Sequence, residues 1–225
     1  MTAELQEAEA NKSPLVGEAH DLHTLATEFR GADEHFAQKV GLLIREGAVR
    51  QYRKVRGDGN CFFRAFAFAL FDKRLVSTTR RLEEVKQVLL QANFQPLAFD
   101  DFADATVDLS KAEHDPPTLL AEFNKPETTN AVVVYLRFVA SAWIKTHREM
   151  YAAFVEEDVD EYCTRVEAFG NEADDVMLAA LTDAMHVHLD VLYLDRTDGP
   201  ATVHPFGQGE AYLTLLCKFV AAMLI

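Results

Sequence analysis

From Asp21 onward, apolar residues recur at steps of three and four: Leu22, Leu25, Phe29, Phe36, Val40, Leu43 and Ile44. That is the period of a helix with one buried stripe, and Gly31 divides the stretch into two helices. Gln51 to Val55 is short enough for a strand or an extended lead-in. Phe62, Phe63, Phe66 and Leu70 then mark a helix that Cys61 opens, and Leu82, Val85, Val88 and Leu89 mark another over Thr79 to Ala92. Phe94 to Pro126 contains Pro96, Pro116, Pro117 and Pro126 and reads as loops around one or two short helices. The apolar run Asn130 to Thr146 is long enough to favour a buried helix over a strand. Short helices follow at Tyr151 to Phe154 and Val159 to Val166. Asp174 to Met185 is a helix with acidic residues at its positive end. "HVHLDVLYLD" alternates and then turns apolar, as a core strand does, "RTDGP" is a turn, and "AYLTLLCKFVAAMLI" supplies a last strand pair or a strand and a tail. The pattern predicts one helix-rich α+β domain over residues 18–225, with a small sheet near the C-terminus. Residues 1–17 are polar and acidic without periodicity and are expected to form a disordered head.

Composition narrows the function. The formal charge of −14, from 22 Lys and Arg against 36 Asp and Glu, disfavours nucleic acid, which rewards clustered basic residues. It fits a basic protein partner, although acidity also serves solubility. Three cysteines, Cys61, Cys163 and Cys217, are widely spaced with no CxxC, so neither a disulfide framework nor a zinc site is expected. Glu172, Asp174 and Asp175 are read as residues opening a helix and not as metal ligands, and no cofactor motif occurs. The first residues lack the basic and apolar run of a signal peptide. The stretch Ala131 to Ile144 is interrupted by Arg137 and too short to span a bilayer. The expectation is a cytoplasmic or nuclear protein without a membrane segment.

The chemistry concentrates in "RGDGNCFFRAF", Arg56 to Phe66. A thiol at a helix N-terminus lies beside unsatisfied peptide N–H groups and the positive end of the dipole, both of which favour thiolate. Gly57 and Gly59 can take positive φ and leave the backbone exposed, so that N–H groups there could hold a developing oxyanion. The stretch provides no base to take the thiol proton. Taken alone, it fits equally a nucleophile or a buried structural cysteine after a tight turn.

"DGNCFFRAF" resembles the sequence around the nucleophile of ovarian-tumour-type (OTU) cysteine proteases, which cleave ubiquitin from proteins. The otubain branch fits best, because "VVVYLRFVASAWIKTHREMYAAFVE" and "NEADDVMLAALTDAMHVHLDVLYLDR" resemble its central helices and its helix-strand unit. The resemblance runs from about Leu22 to Leu216. It implies a papain-like OTU fold with a small, mostly antiparallel sheet, no metal or cofactor, and ubiquitin or polyubiquitin chains as partners. Ubiquitin-conjugating enzymes are further partners that it implies. It makes Cys61 the nucleophile, places Asp58 with the active site, and makes the N–H groups of Asp58 and Cys61 the oxyanion donors. The reaction would be hydrolysis of the isopeptide bond at the ubiquitin C-terminus through a Cys61 thioester.

The same resemblance expects a histidine on the last strand, two residues before an Asp or Asn. Ungapped extension from "EAYLTLL" puts Ala221 and Met223 at those positions, and neither can accept a proton. Of the eight histidines, His204 is nearest in sequence to the expected place and is read as a surface loop residue. His186 and His188 alternate on the approach to a strand, and His20, His23, His35, His114 and His147 fall in helices or loops as structural or solvated residues. The family likeness stops abruptly after Leu216. That favours an altered ending, by frameshift or a mispredicted exon, over gradual decay to a pseudoenzyme. The alternatives to a deubiquitinase are a non-catalytic module binding ubiquitin or a conjugating enzyme, and a redox-sensitive cysteine protein. Cys163 is expected to face the core from a helix, and Cys217 to follow a strand and pack.

Overall fold

The computed structural model describes residues 13–47, 49–74, 76–112, 115–209, 211–218 and 221–224. Most of the head expected to be disordered, and His114, lie outside them. Chain order is β1 His20–Asp21, α1 Leu22–Phe29, α2 Glu34–Glu46, β2 Gln51–Lys54, α3 Cys61–Asp72, α4 Val76–Gln91, α5 Pro96–Lys111, α6 Pro116–Phe123 and α7 Pro126–Thr146. Then come α8 Arg148–Tyr151, α9 Val159–Glu167, α10 Asp175–Met185, β3 Val187–Leu194, β4 Thr202–Phe206, β5 Ala211–Lys218 and β6 Ala221–Leu224. The six strands form one sheet in the order β1-β2-β6-β5-β3-β4, antiparallel except for the β3–β5 pair.

The sheet separates two cores. Val187, Leu189, Val191, Leu213 and Leu215 face the helical body, with Tyr193 and Cys217 on the same side. Leu192, Leu194 and Leu216 face the α1–α2 hairpin. This is the period-two alternation of strands covered on both sides. Helix α7 is the axis of the helical body: α3, α4, α5, α6, α9 and α10 all pack on it. Its surface is therefore apolar nearly all round, and one charged residue, Arg137, is buried in its middle.

Two expectations need correction. The segment from Phe94 to Pro126 is largely helical, because Pro96, Pro116 and Pro126 stand at helix starts, where the missing N–H costs nothing and the fixed φ suits the first turn. Leu15 to Gly17 belong to the fold and not to the head. Leu15 and Val16 are buried and Val16 bridges Val55. Asn124 accepts from Val16 N at 3.2 Å and donates to Val16 O at 2.8 Å. The strand β4 was not foreseen; Pro205 within it is tolerated because β4 is a sheet edge.

Candidate active site

Cys61 is the first residue of α3, and Asn60 is its N-cap. The loop before it is locked by three groups. Gly59 has φ of +75°, and a Cβ there would lie 1.7 Å from the Gly170 carbonyl oxygen, so only glycine fits. The Asn60 side chain is buried; its Oδ1 accepts from Gly170 N at 2.9 Å and from Arg137 Nη2 at 2.8 Å. Asp58 is held by Arg64, with Nη1 to Oδ1 at 3.0 Å and Nη2 to Oδ2 at 2.8 Å, and its Oδ1 also accepts from Asn60 N at 3.0 Å. Its oxygens thus shape the loop. The Asp58 N–H donates to Arg56 O at 3.1 Å, so the donor expected for an oxyanion is engaged within the loop, and only a turn of that peptide would free it.

Arg137 ties this loop to the segment after α9. Beyond Asn60 it donates to Gly59 O at 3.0 Å, Val166 O at 2.9 Å and Asn171 O at 2.6 Å. Its guanidinium lies 4.4 Å from the Phe63 ring centroid, a cation–π contact on the second residue of the helix beyond Cys61. Burial lowers its pKa to about 10, while the charges of Asp58 and Cys61 act in the opposite direction. A cation thus stands against the loop that leads into Cys61, buried and fixed by hydrogen bonds.

The sheet side of the site is Cys217, half-buried on β5 and facing α3, which packs on β5 and β6. Cys217 pairs with Tyr193 on β3, and Tyr193 Oη donates to Asp175 Oδ1 at 3.3 Å. Burial first, and then the charge of Cys61, pushes the Cys217 thiol up to about 11. Cys217 therefore lies within β5 and not after it. Cys163 is buried on α9, as expected, with Sγ 3.7 Å from Ser141 O.

The register brings Ala221 opposite Lys218 and Ala222 opposite Cys217, so β6 carries no ionisable residue along Ala221–Leu224. The described histidines bearing on the sheet and the helix ends are placed elsewhere. His188 pairs with Asp190, 3.1 Å from Nε2 to Oδ1, and stacks on Tyr212 at 4.6 Å. By strand alternation it sits on the sheet face away from α3. His204 is on β4, in a strand and not a loop, and its ring is 4.8 Å from that of Tyr193. Two strand spacings, roughly 10 Å, separate β4 from β5, with Tyr193 between. His147 stacks on Trp143 at 4.1 Å at the end of α7, and His186 caps α10.

Asn60, Arg137 and Gly170 had no assigned role in the sequence, although one signal was present: an arginine inside an apolar helix must find buried acceptors. Among the described residues no cluster of His, Cys, Asp or Glu could hold a metal ion, and no helix is long and apolar enough to cross a membrane.

Residues 8–213 match the family model described as Peptidase C65 Otubain. The chain belongs to the otubain family. Human ubiquitin thioesterase OTUB1 is 32% identical over 220 residues, covering 92% of this chain and 80% of that protein. The ovarian tumor domain-containing deubiquitinating enzyme 1 of Arabidopsis thaliana is 29% identical over 212 residues, covering 85% of this chain and 69% of that protein. The solved complex of h/ceOTUB1 with ubiquitin aldehyde and UBC13~Ub matches the fold with a TM-score of 0.88 at 24% identity, over 99% of this chain and 94% of that one. The expected α+β OTU fold is thus the observed one, and the otubain family match ends at residue 213, before β6.

Proposed function

We propose that this chain is a ubiquitin thioesterase whose nucleophile is Cys61. One observation carries the reading: Cys61 begins α3 directly behind a glycine-locked loop that the buried Arg137 guanidinium holds through Gly59 O and Asn60 Oδ1. The family's relatives act on ubiquitin, and the solved relatives were captured with ubiquitin aldehyde and a conjugating enzyme carrying ubiquitin. Ubiquitin, its chains and such enzymes are the partners this reading assigns.

The Cys61 thiolate attacks the carbonyl carbon of the ubiquitin C-terminal glycine. The N-terminal peptides of α3 receive the oxyanion, joined by Asp58 N–H once it leaves Arg56 O. Collapse forms the Cys61 thioester and expels the lysine amine; water then releases ubiquitin. Asp58 acts by positioning the loop through Arg64. The helix terminus and Arg137 favour the thiolate, whose proton passes to solvent. Protonating the amine needs an acid and activating water needs a base, and β6 supplies neither at Ala221, Ala222 or Met223.

That residue pattern favours a second reading, in which the chain binds ubiquitin or a conjugating enzyme without turnover. A ubiquitin derivative with a C-terminal electrophile separates the two when compared with a ubiquitin dimer. Labelling, with dimer hydrolysis that is slow but present, both lost in Cys61→Ala, supports the thioesterase. Ubiquitin binding with neither supports the binding module.

A further inference from the structure

Cys217 has no part in the reaction above, yet it belongs to the same small neighbourhood as Cys61. Gly170 contacts Gly59 and donates to Asn60, the two residues before Cys61. Five residues later Asp175 accepts from Tyr193, the strand partner of Cys217. Helix α3 packs directly on β5, and both thiols are half-buried against one core cluster. We propose that Cys217 is the resolving thiol for Cys61: after a peroxide oxidises Cys61, Cys217 captures it as a Cys61–Cys217 disulfide. The inference rests on the reading of Cys61 as a reactive thiol and not on ubiquitin as its substrate.

The steps balance. The Cys61 sulfur attacks one peroxide oxygen, the O–O bond breaks, and hydroxide leaves to be protonated, which gives a sulfenic acid. The Cys217 sulfur then attacks the sulfenic sulfur; the S–O bond breaks, and the hydroxyl leaves with the Cys217 proton as water. Hydrogen peroxide is reduced to water and two thiols become one disulfide. The electrostatics order the two steps. Burial and the charge of Cys61 both oppose ionisation of Cys217, with Asp175 and Glu172 adding to them. Oxidation converts Cys61 to a neutral sulfenic acid and removes that opposing charge while burial remains, so Cys217 ionises more readily after the first step than before it. The disulfide then stops Cys61 from climbing to the irreversible sulfinic and sulfonic acids. Cys163, buried on α9 with its thiol pushed up by that burial, supplies an internal reference within the chain.

The test treats the full chain with hydrogen peroxide, maps each cysteine by mass spectrometry, and measures iodoacetamide alkylation of Cys61 before and after dithiothreitol. Cys217→Ala and Cys217→Ser are run beside the native chain, with circular dichroism to confirm their folding. The expected result is a Cys61–Cys217 linked peptide and full recovery of Cys61 alkylation in the native chain. Both variants should give Cys61 sulfinic acid and no recovery, with Cys163 intact throughout. Equal over-oxidation of Cys61 in native and variant chains, with the Cys217 thiol intact, would overturn the resolving role and leave the nucleophile standing. A disulfide between Cys61 residues of two chains would overturn it as well. A Cys61 that resists both peroxide and iodoacetamide would overturn this inference together with the reading on which it rests.

Discussion

Gly59 and Gly170 touch, but they constrain the site unequally. Both take positive φ, +75° and +90°, where a side chain costs on the order of 1–3 kcal/mol. A Cβ on Gly59 would in addition collide with the Gly170 carbonyl, whereas one on Gly170 meets nothing closer than Asp58 O at 3.9 Å. Gly59→Ala should therefore lower the urea midpoint well beyond Gly170→Ala and slow iodoacetamide modification of Cys61. Equal midpoints would show that the loop relaxes around the clash. Arg137 presents the other test at this scale. Arg137→Met leaves the Gly59, Val166 and Asn171 carbonyls without their donor, and stability should fall by about 3–5 kcal/mol. Arg137→Lys should recover less than half of that, because one ammonium cannot reproduce the planar fork. Full recovery would mean that charge and not geometry holds the loop.

At the scale of elements, the α1–α2 hairpin is clipped to the sheet by one buried ammonium. Lys39 on α2 donates to Pro200 O at 2.8 Å and lies 3.1 Å from Asp195 Oδ1, just beyond β3. Hydrogen bonds from the Thr197 hydroxyl and N–H, then from Lys39, hold the Asp195 carboxyl well below the usual carboxylate range. A folded-state pKa below the unfolded value of roughly 3.9 contributes stability at pH above that value and loses it as pH falls toward the folded pKa. Asp195→Asn should thus lower the melting temperature at neutral pH and flatten its decline below about pH 4; an unchanged slope would contradict the clip. The hydrophobic period revealed α1, α2, α3 and α7, because each buries a continuous stripe. It misjudged α5 and α6, since a proline marks a helix start as readily as a break. It missed β4, whose residues are mostly exposed on a sheet edge and carry no alternation. The motif around Cys61 was readable because it is local. Asn60 to Arg137 and Cys217 to Tyr193 are contacts between segments far apart in the chain, and those only the fold brings together.

For the whole molecule, the candidate site has a thiol at a helix start, a locked loop and a buried cation on one side, and on the other a strand, β6, with no ionisable residue along Ala221–Leu224. The leaving group should then decide the rate. A lysine amine, with a pKa of about 10.4, must be protonated as it departs, whereas a thiol of about 8.5 can leave as thiolate. A ubiquitin thioester should acylate Cys61 readily, while turnover of an isopeptide-linked dimer lacks the factor of about 10²–10⁴ that a positioned acid–base group supplies. Installing Ala222→His, opposite Cys217 in the register and so on the sheet face toward α3, should raise dimer turnover toward that factor and change thioester acylation little; equal rates for both substrates in the native chain would contradict this. The most direct test of the whole account is the mapping of the adduct formed with a ubiquitin derivative carrying a C-terminal electrophile. The account predicts one ubiquitin per chain, attached to Cys61 and absent in Cys61→Ala. Failure to label Cys61 in the folded chain, or an adduct that persists in Cys61→Ala, would contradict it.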